Sequence, residues 1–503
     1  MPSANSPARV RRSTKMERGP ANIKTDGRRC WPDTFVPAFY IGLPKWAAGL
    51  LLFVLMLAGS SLSVAAQSPQ PASPDSSMAT NSATLPLSLK RAVEIALAPD
   101  GNVRLRLAEE LIQQAKARSG QARAALLPNV ESSLSQQNQV RNLAALGLRI
   151  RLPIIGFKLP DLVGPFNTFD ARATATQSLF DAGSIRRFQA SRLNVEGAYA
   201  ESDNAGDQVA AQVAKIYVTA VRAAAAMETA QANVALSEAL VKLARDQKEA
   251  GSGTGIEVTR AKAQLANEKQ RLLVAENERT RAGLELLRAI DLKLDVQLEL
   301  LDKLAYIAVD PLSLEQAVAT AVAARADLKA QKKREQSAEM IYRATRLERW
   351  PALYGFADYG SIGPSIHHAV PTRTYGFAVR VPVFDGGRRE ARGAELHSVL
   401  RQERLKTADL EKQVQLEIRL ALDSLRSADA QVKVAEEGLA LSEAELAQAR
   451  RRYEAGIAIS LEIVDAQTRL ARARDNRIAA LFNYHRAHID LAQAMGTIRL
   501  MLQ

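Results

Sequence analysis

Two acidic residues three apart, Glu462 and Asp465, have the strongest claim to chemistry in this 503-residue chain. That spacing is close to one helical turn, so both carboxylates share a face at a helix start. Paired carboxylates can divide the work of acid and base, but no positioned partner accompanies these two. Acids in a first turn also complement the helix dipole, by about 0.3–1 kcal/mol each. His485 and His488 put two imidazoles on one helical face, and a metal centre needs at least a third ligand. They read as a packed or solvated face, and His367-His368 as a solvated loop. Gly251 to Gly255, "GSGTG", has the glycines of a phosphate loop but neither its preceding strand nor its lysine. No Ser-His-Asp set is apparent. These residues predict no enzyme, no metal and no cofactor.

A repeat shows what must position the two acids. Glu462 closes the phrase "YEAGIAISLE", and Glu257 closes its twin "KEAGSGTGIE". Gly251 matches Gly456, Glu257 matches Glu462, Ala261 matches Ala466 and Leu265 matches Leu470, always 205 residues apart. Solenoid repeats run about 20–50 residues, so this spacing predicts one large unit used twice. Asp465 has no acidic twin, because Arg260 stands in its place.

Upstream of the second phrase, Ile418, Leu425, Val432, Leu439, Leu446 and Tyr453 recur every seven residues. Three residues after each come Ala421, Ala428, Ala435, Ser442, Ala449 and Gly456. The first unit repeats the small row from its second member on, as Ala223, Ala230, Ser237, Ala244 and Gly251. A heptad with one large and one small row lets helix axes approach closely. The pattern predicts antiparallel helical hairpins over about 184–290 and 388–495, with outgoing helices of roughly 100 Å at 1.5 Å per residue. Their turns fall at the two Glu-Ala-Gly phrases, where glycine ends one helix and an acid opens the next.

Each unit opens alike, "PLSLKRAVEIAL" from Pro86 and "PLSLEQAVATAV" from Pro311, with Ser88 and Ser313 as N-caps. An Ala-rich helix then runs to Pro128 or Pro351, where the period changes. In "YGFAVRVPVFDGG", Tyr375, Phe377, Val379, Val381 and Val383 alternate with Ala378 and Arg380. Strands are predicted at about 128–138, 171–181, 351–360 and 375–385, the length that spans a tilted bilayer. Residues 140–168 and 361–374 read as loops. The strand aromatics Tyr354, Phe356, Tyr359, Tyr375 and Phe377 suit interfacial girdles.

The net charge is +13, but residues 1–45 carry nine basic residues against three acidic ones. An apolar run, Ala47 to Ala58, and a small-residue end, Val64-Ala65-Ala66, follow. That is the pattern of a secretory signal cleaved after about Ala66, with translation able to start at Met16 or later. Removing 1–66 takes six positive charges and leaves about +7, so half the basic excess concerns targeting and no nucleic-acid partner is expected. The only cysteine, Cys30, leaves with it. The remainder is predicted to hold no disulfide and no lipid-bearing cysteine. No later apolar run reads as a membrane helix. Residues 67–85 form a Pro/Ser-rich linker, and 86–300 and 301–503 are the two units.

Four membrane-length strands cannot close a barrel, which needs about eight or more. Two chains give eight strands and a filled interior; three give twelve and a lumen. The fold class is therefore mainly α with a small β part, and the chain is predicted to oligomerise. A secreted, duplicated coiled-coil scaffold without a channel is the competing reading.

The paired "PLSLxxAV" openings, the strand end "VPVFDGG", the two Glu-Ala-Gly tips and the ending "NYHRAHIDLAQAMG", Asn483 to Gly496, resemble the TolC-type outer-membrane efflux protein family. The resemblance spans nearly all of 86–496. It implies a homotrimer with a twelve-stranded barrel in outer-membrane lipid and a periplasmic α-helical barrel. It implies a passive exit duct for efflux or type I secretion, docked to a periplasmic adaptor and an inner-membrane pump of RND or ABC type. By the same resemblance Glu462 and Asp465 form rings at the periplasmic constriction, and Ala250, Gly251, Ser252, Ala455, Gly456 and Ile457 form the adaptor-docking tips.

Overall fold

The computed structural model describes residues 84–99, 101–143, 145, 147, 161–251, 253–308, 312–455 and 457–501. The expected signal, nearly all of the linker, Ser252 and Gly456 lie outside the described residues.

The two units repeat one order of elements. The first runs β1 (Thr84–Leu87), α1 (Leu89–Leu97), α2 (Val103–Ala124), β2 (Asn129–Asn142), β3 (Leu162–Phe180), α3 (Ala182–Glu249) and α4 (Gly255–Ala289). After β4 (Gln297–Leu300) the second runs α5 (Leu314–Ala324), α6 (Ala326–Leu347), β5 (Ala352–Gly363), β6 (Val370–Arg380), α7 (Arg388–Glu454) and α8 (Ser460–Ala494), then a short α9 (Ile498–Met501).

Local chemistry sets the helix starts. Ser88 Oγ accepts the Arg91 N–H at 3.3 Å, and Ser313 Oγ accepts that of Gln316 at 3.2 Å. Asp181 caps α3 by accepting the Gly183 and Ser184 N–H groups at 2.9 and 3.2 Å. Asp385, which follows Phe384 as Asp181 follows Phe180, accepts both the Arg389 backbone N–H at 3.3 Å and its Nε at 2.7 Å, while α7 starts from Gly387 at φ +83°.

At 68 and 67 residues, α3 and α7 are each about 100 Å long. Helices α3 and α4 pack antiparallel, as do α7 and α8, and the hairpins meet through α3 and α8. The heptad rows supply this packing. Val213, Ala220, Ala230 and Val241 are buried in the first unit, and Ile418, Ala428, Val432 and Ala449 in the second. One stretch of α3 is long and apolar enough by composition to cross a bilayer, where the sequence pattern suggests no such run. Half of that stretch is buried, and α3 carries core residues from Val209 to Val221 against α1, α4 and α8. Its apolarity is accounted for by a packed core.

The parallel pair β1–β4 was not foreseen, since four-residue strands carry too little period to read. It is clamped by Asp302, which accepts the Leu89 N–H and the Tyr217 hydroxyl, each at 2.7 Å. Tyr217 is 1% exposed. A second clamp joins α5 and α6 to the second hairpin. Partly buried Arg325 bonds Asp327 and Glu417 at 2.6 Å each, and the Ala494 carbonyl at 3.2 Å.

The other four strands form one antiparallel sheet in the order β2-β3-β5-β6. Four boundaries differ from expectation by four residues or more. Strand β2 continues to Asn142 and β3 begins at Leu162, so much of the expected loop is strand. Pro165 is tolerated because it faces the irregularity between Gln139 and Arg141 and lies beyond the reach of β5. Strand β6 starts at Val370, inside the expected second loop, and stops at Arg380 rather than 385, ahead of Pro382, which has no N–H for a ladder.

Candidate functional site

Register decides which way each strand residue faces, because side chains alternate along a strand. Paired positions across β2, β3, β5 and β6 put Val130, Leu134, Ala171, Ala173, Ala175, Ala357, Tyr359, Tyr375, Phe377 and Val379 on one face. Of these, Tyr375 is 81% and Phe377 77% exposed. The opposite face carries Glu131, Ser133, Ser135, Asp170, Arg172, Thr174, Asp358, Thr372 and Thr374. There the Arg172 guanidinium bridges Asp170 and Asp358 at 2.9 and 3.3 Å. The first face also carries Ser132, Gln136 and Arg373, but an antiparallel sheet with one mainly apolar, exposed face and one ionised face matches a barrel wall between lipid and water. Tyr354 and Phe356 depart from the expected girdle. They lie on the polar face, with Phe356 over Gly376 and Tyr354 under Arg380.

The two hairpin tips start alike and then diverge. Helix α3 ends with Gly251 at φ +77°, and the Gly253 N–H closes back on the Gln247 carbonyl at 2.9 Å. Glu257 Oε2 accepts the Thr254 N–H at 2.8 Å, so this acid is spent on starting α4. At the second tip the Ile457 and Ala458 N–H groups both reach the Arg452 carbonyl, at 2.9 and 3.2 Å. Ile457 is 73% exposed. Ala250 and Ala455 occupy the two C-cap positions and are exposed.

Glu462 does not cap. Its carboxylate lies 3.4 Å from Arg452 Nε on the facing helix, with both side chains nearly half exposed. Such a pair is worth about 0–1 kcal/mol. Asp465 is exposed, and among the described residues it has no ion pair or hydrogen bond. The structure thus brings Glu462 and Asp465 to the first turns of one helix and gives them unequal company. Arg452 is the residue that the sequence reading passed over. Its signal was the run Arg450-Arg451-Arg452, basic residues in a last helical turn where the dipole favours them.

The hairpins are tied near the tips. Gln467 Nε2 donates to Ser237 Oγ, Arg474 Nη1 donates to Asn233 Oδ1 at 2.8 Å, and Leu446, Ile463 and Leu470 pack with Leu236, Leu240 and Leu243. His485 Nε2 lies 2.9 Å from the Ala305 carbonyl, and burial pushes the His485 and His488 imidazoles below their usual range. His368 Nδ1 bonds Ser365 in an exposed turn. Among the described residues no group of three His, Cys, Asp or Glu is placed to hold a metal ion.

The profile of the outer membrane efflux protein family matches residues 95–291 and 317–497, well over half the chain. This chain belongs to that family. It is an outer-membrane protein with a long periplasmic helical part, and the family's members are channels rather than enzymes. The chain is 25% identical to the pyoverdine export outer membrane protein OpmQ of Pseudomonas putida over 415 residues, covering 80% of this chain and 84% of OpmQ. The solved outer-membrane channel OprN superposes with a TM-score of 0.70 at 19% identity, covering 81% of this chain and 90% of OprN. VceC of Vibrio cholerae gives 0.68 at 19% identity, covering 81% and 96%. These structures share the TolC-like fold of sheet and long periplasmic hairpins.

Proposed function

We propose that three copies of this efflux protein close a twelve-stranded barrel and form the passive exit duct of a tripartite efflux pump. The sheet carries this reading. Its four strands alternate in direction, so the free edges β2 and β6 run antiparallel to each other. Edge β6 of one copy can therefore pair antiparallel with β2 of the next, around a ring without a remaining edge. Three copies leave a lumen lined by the Arg172 face, and the helices extend it by about 100 Å across the periplasm. A scaffold without a channel has no use for a bare apolar sheet face.

The tips at Ala250, Gly251, Ser252, Ala455, Gly456 and Ile457 dock the hairpins of a periplasmic adaptor, which links the duct to an inner-membrane pump of RND or ABC type. Glu462 and Asp465 face the lumen at the closed end. The name of OpmQ speaks of pyoverdine export, which favours a small-molecule cargo over a secreted protein. Purified protein reconstituted in planar bilayers tests the duct. Discrete single-channel conductance is expected, and an electrically silent protein in intact bilayers would reject it in favour of the scaffold.

A further inference from the structure

Three buried polar atoms belong to residues that line one small void at the joint between the hairpins. They are the Tyr453 hydroxyl at the end of α7, the Ser460 hydroxyl at the start of α8, and Gln467 Oε1 two turns further on, none with a protein hydrogen-bond partner. The three residues are 6%, 9% and 3% exposed. The void measures about 20 Å³. Ser237 of α3 and Glu257 of α4 close it from the first hairpin.

A buried hydroxyl or amide oxygen without a partner is costly, and three around one void call for a common ligand. The size selects it. A water needs roughly 10–15 Å³ and two to four polar partners, so one water fits and neither cargo nor lipid does. The chemistry agrees. Tyr453 and Ser460 offer hydroxyl protons, and Gln467 offers a carbonyl, its amide N–H being engaged by Ser237 Oγ. Burial holds the Tyr453 hydroxyl protonated, with Glu257 adding to the effect. Glu257 gives Oε2 to Thr254 and keeps its other oxygen. A molecule that accepts two bonds and donates two satisfies every group.

We propose that this void binds a single water molecule, which accepts from Tyr453 and Ser460, donates to Gln467, and spends its fourth bond on the first hairpin at Glu257 or Ser237. The joint next to Glu462 and Asp465 is thus hydrated.

The test is a sign, read on the full assembly. In a hydrated void, Tyr453→Phe deprives the water of a donor and lowers the thermal midpoint, and Ser460→Ala does the same. In a dry void each substitution removes an orphan hydroxyl, and the midpoint stays or rises. A lower midpoint for both variants is the expected result, and an unchanged or higher one for either overturns the proposal. High-resolution density supplies the second measurement. One solvent peak within hydrogen-bonding distance of the three oxygens supports it; no peak, or a peak with the short distances and extra ligands of a cation, overturns it.

Discussion

Glu462 and Asp465 face different electrostatic fates although they share a helix turn. Glu462 lies beside the Arg452 guanidinium, which offsets its charge, whereas Asp465 is exposed without a partner among the described residues. In the proposed threefold assembly, with this face turned to the lumen, Asp465 rather than Glu462 therefore carries the unpaired acidic charge of the two. Like charges gathered there attract cations and are relieved by protonation. Asp465→Asn is expected to cost more cation selectivity, and more block by multivalent cations, than Glu462→Gln, while neither disturbs assembly. Reversal potentials in a salt gradient measure this. The contrast should be clear near 0.1 M salt, where the Debye length is about 10 Å, and fade near 1 M, where it is about 3 Å. A larger effect from Glu462→Gln would reverse the assignment. That the two acids share the first turns of one helix was legible from their spacing, while a role at a constriction came only from the family resemblance. Arg452 was not legible, because its meeting with Glu462 is made across the hairpin turn by packing that no local pattern encodes.

At the scale of the element, the hairpins were the most legible part. Their period is sustained over many heptads, and glycine and acid mark the turn. Strand ends were less so. Pro165 and the loop-like composition around it hid the start of β3, and Val383 continued an alternation that Pro382 had already ended. The tips then allow a clean separation of docking from folding. At Gly253 a Cβ would come 2.9 Å from the Lys248 nitrogen, so substitution there damages the turn itself. Gly251 has open space around it and only its φ of +77° to protect, a conformation that costs a non-glycine residue roughly 1–2 kcal/mol. That is small against the packing of two helices. Replacing Gly251 with the unbranched glutamine, together with the same change at its sequence twin Gly456, is expected to leave trimers in the membrane and to abolish export. Accumulation of a pump substrate, measured beside trimer content, checks it. Normal export with intact trimers would remove the tips from adaptor docking.

At the scale of the whole molecule, ring closure depends on edges that never meet within one chain. Strands β2 and β6 are separated by β3 and β5, three steps of about 4.8 Å, or roughly 14 Å. A disulfide requires Cα atoms within about 7 Å. Cysteines on these two strands can therefore bond only between copies. Ser133 of β2 shares the polar face with Thr372 and Thr374 of β6 and with Ala378 beyond them. Ser133→Cys combined in turn with Thr372→Cys, Thr374→Cys and Ala378→Cys samples the register across the seam. The sole native cysteine, Cys30, lies in the expected signal, so a Cys30→Ser background removes any competing thiol. Mild oxidation of outer membranes is expected to give a covalent trimer from at least one pairing, stable to boiling and released by reductant. Uncross-linked protein is expected to fall to monomer on boiling, since its seams are hydrogen bonds and apolar contacts alone. Closure by two copies would stop the ladder at dimer, and a scaffold without a barrel would give no linkage at any register. Covalent dimer as the end product, or monomer throughout, would refute the threefold ring while leaving the fold of the single chain intact.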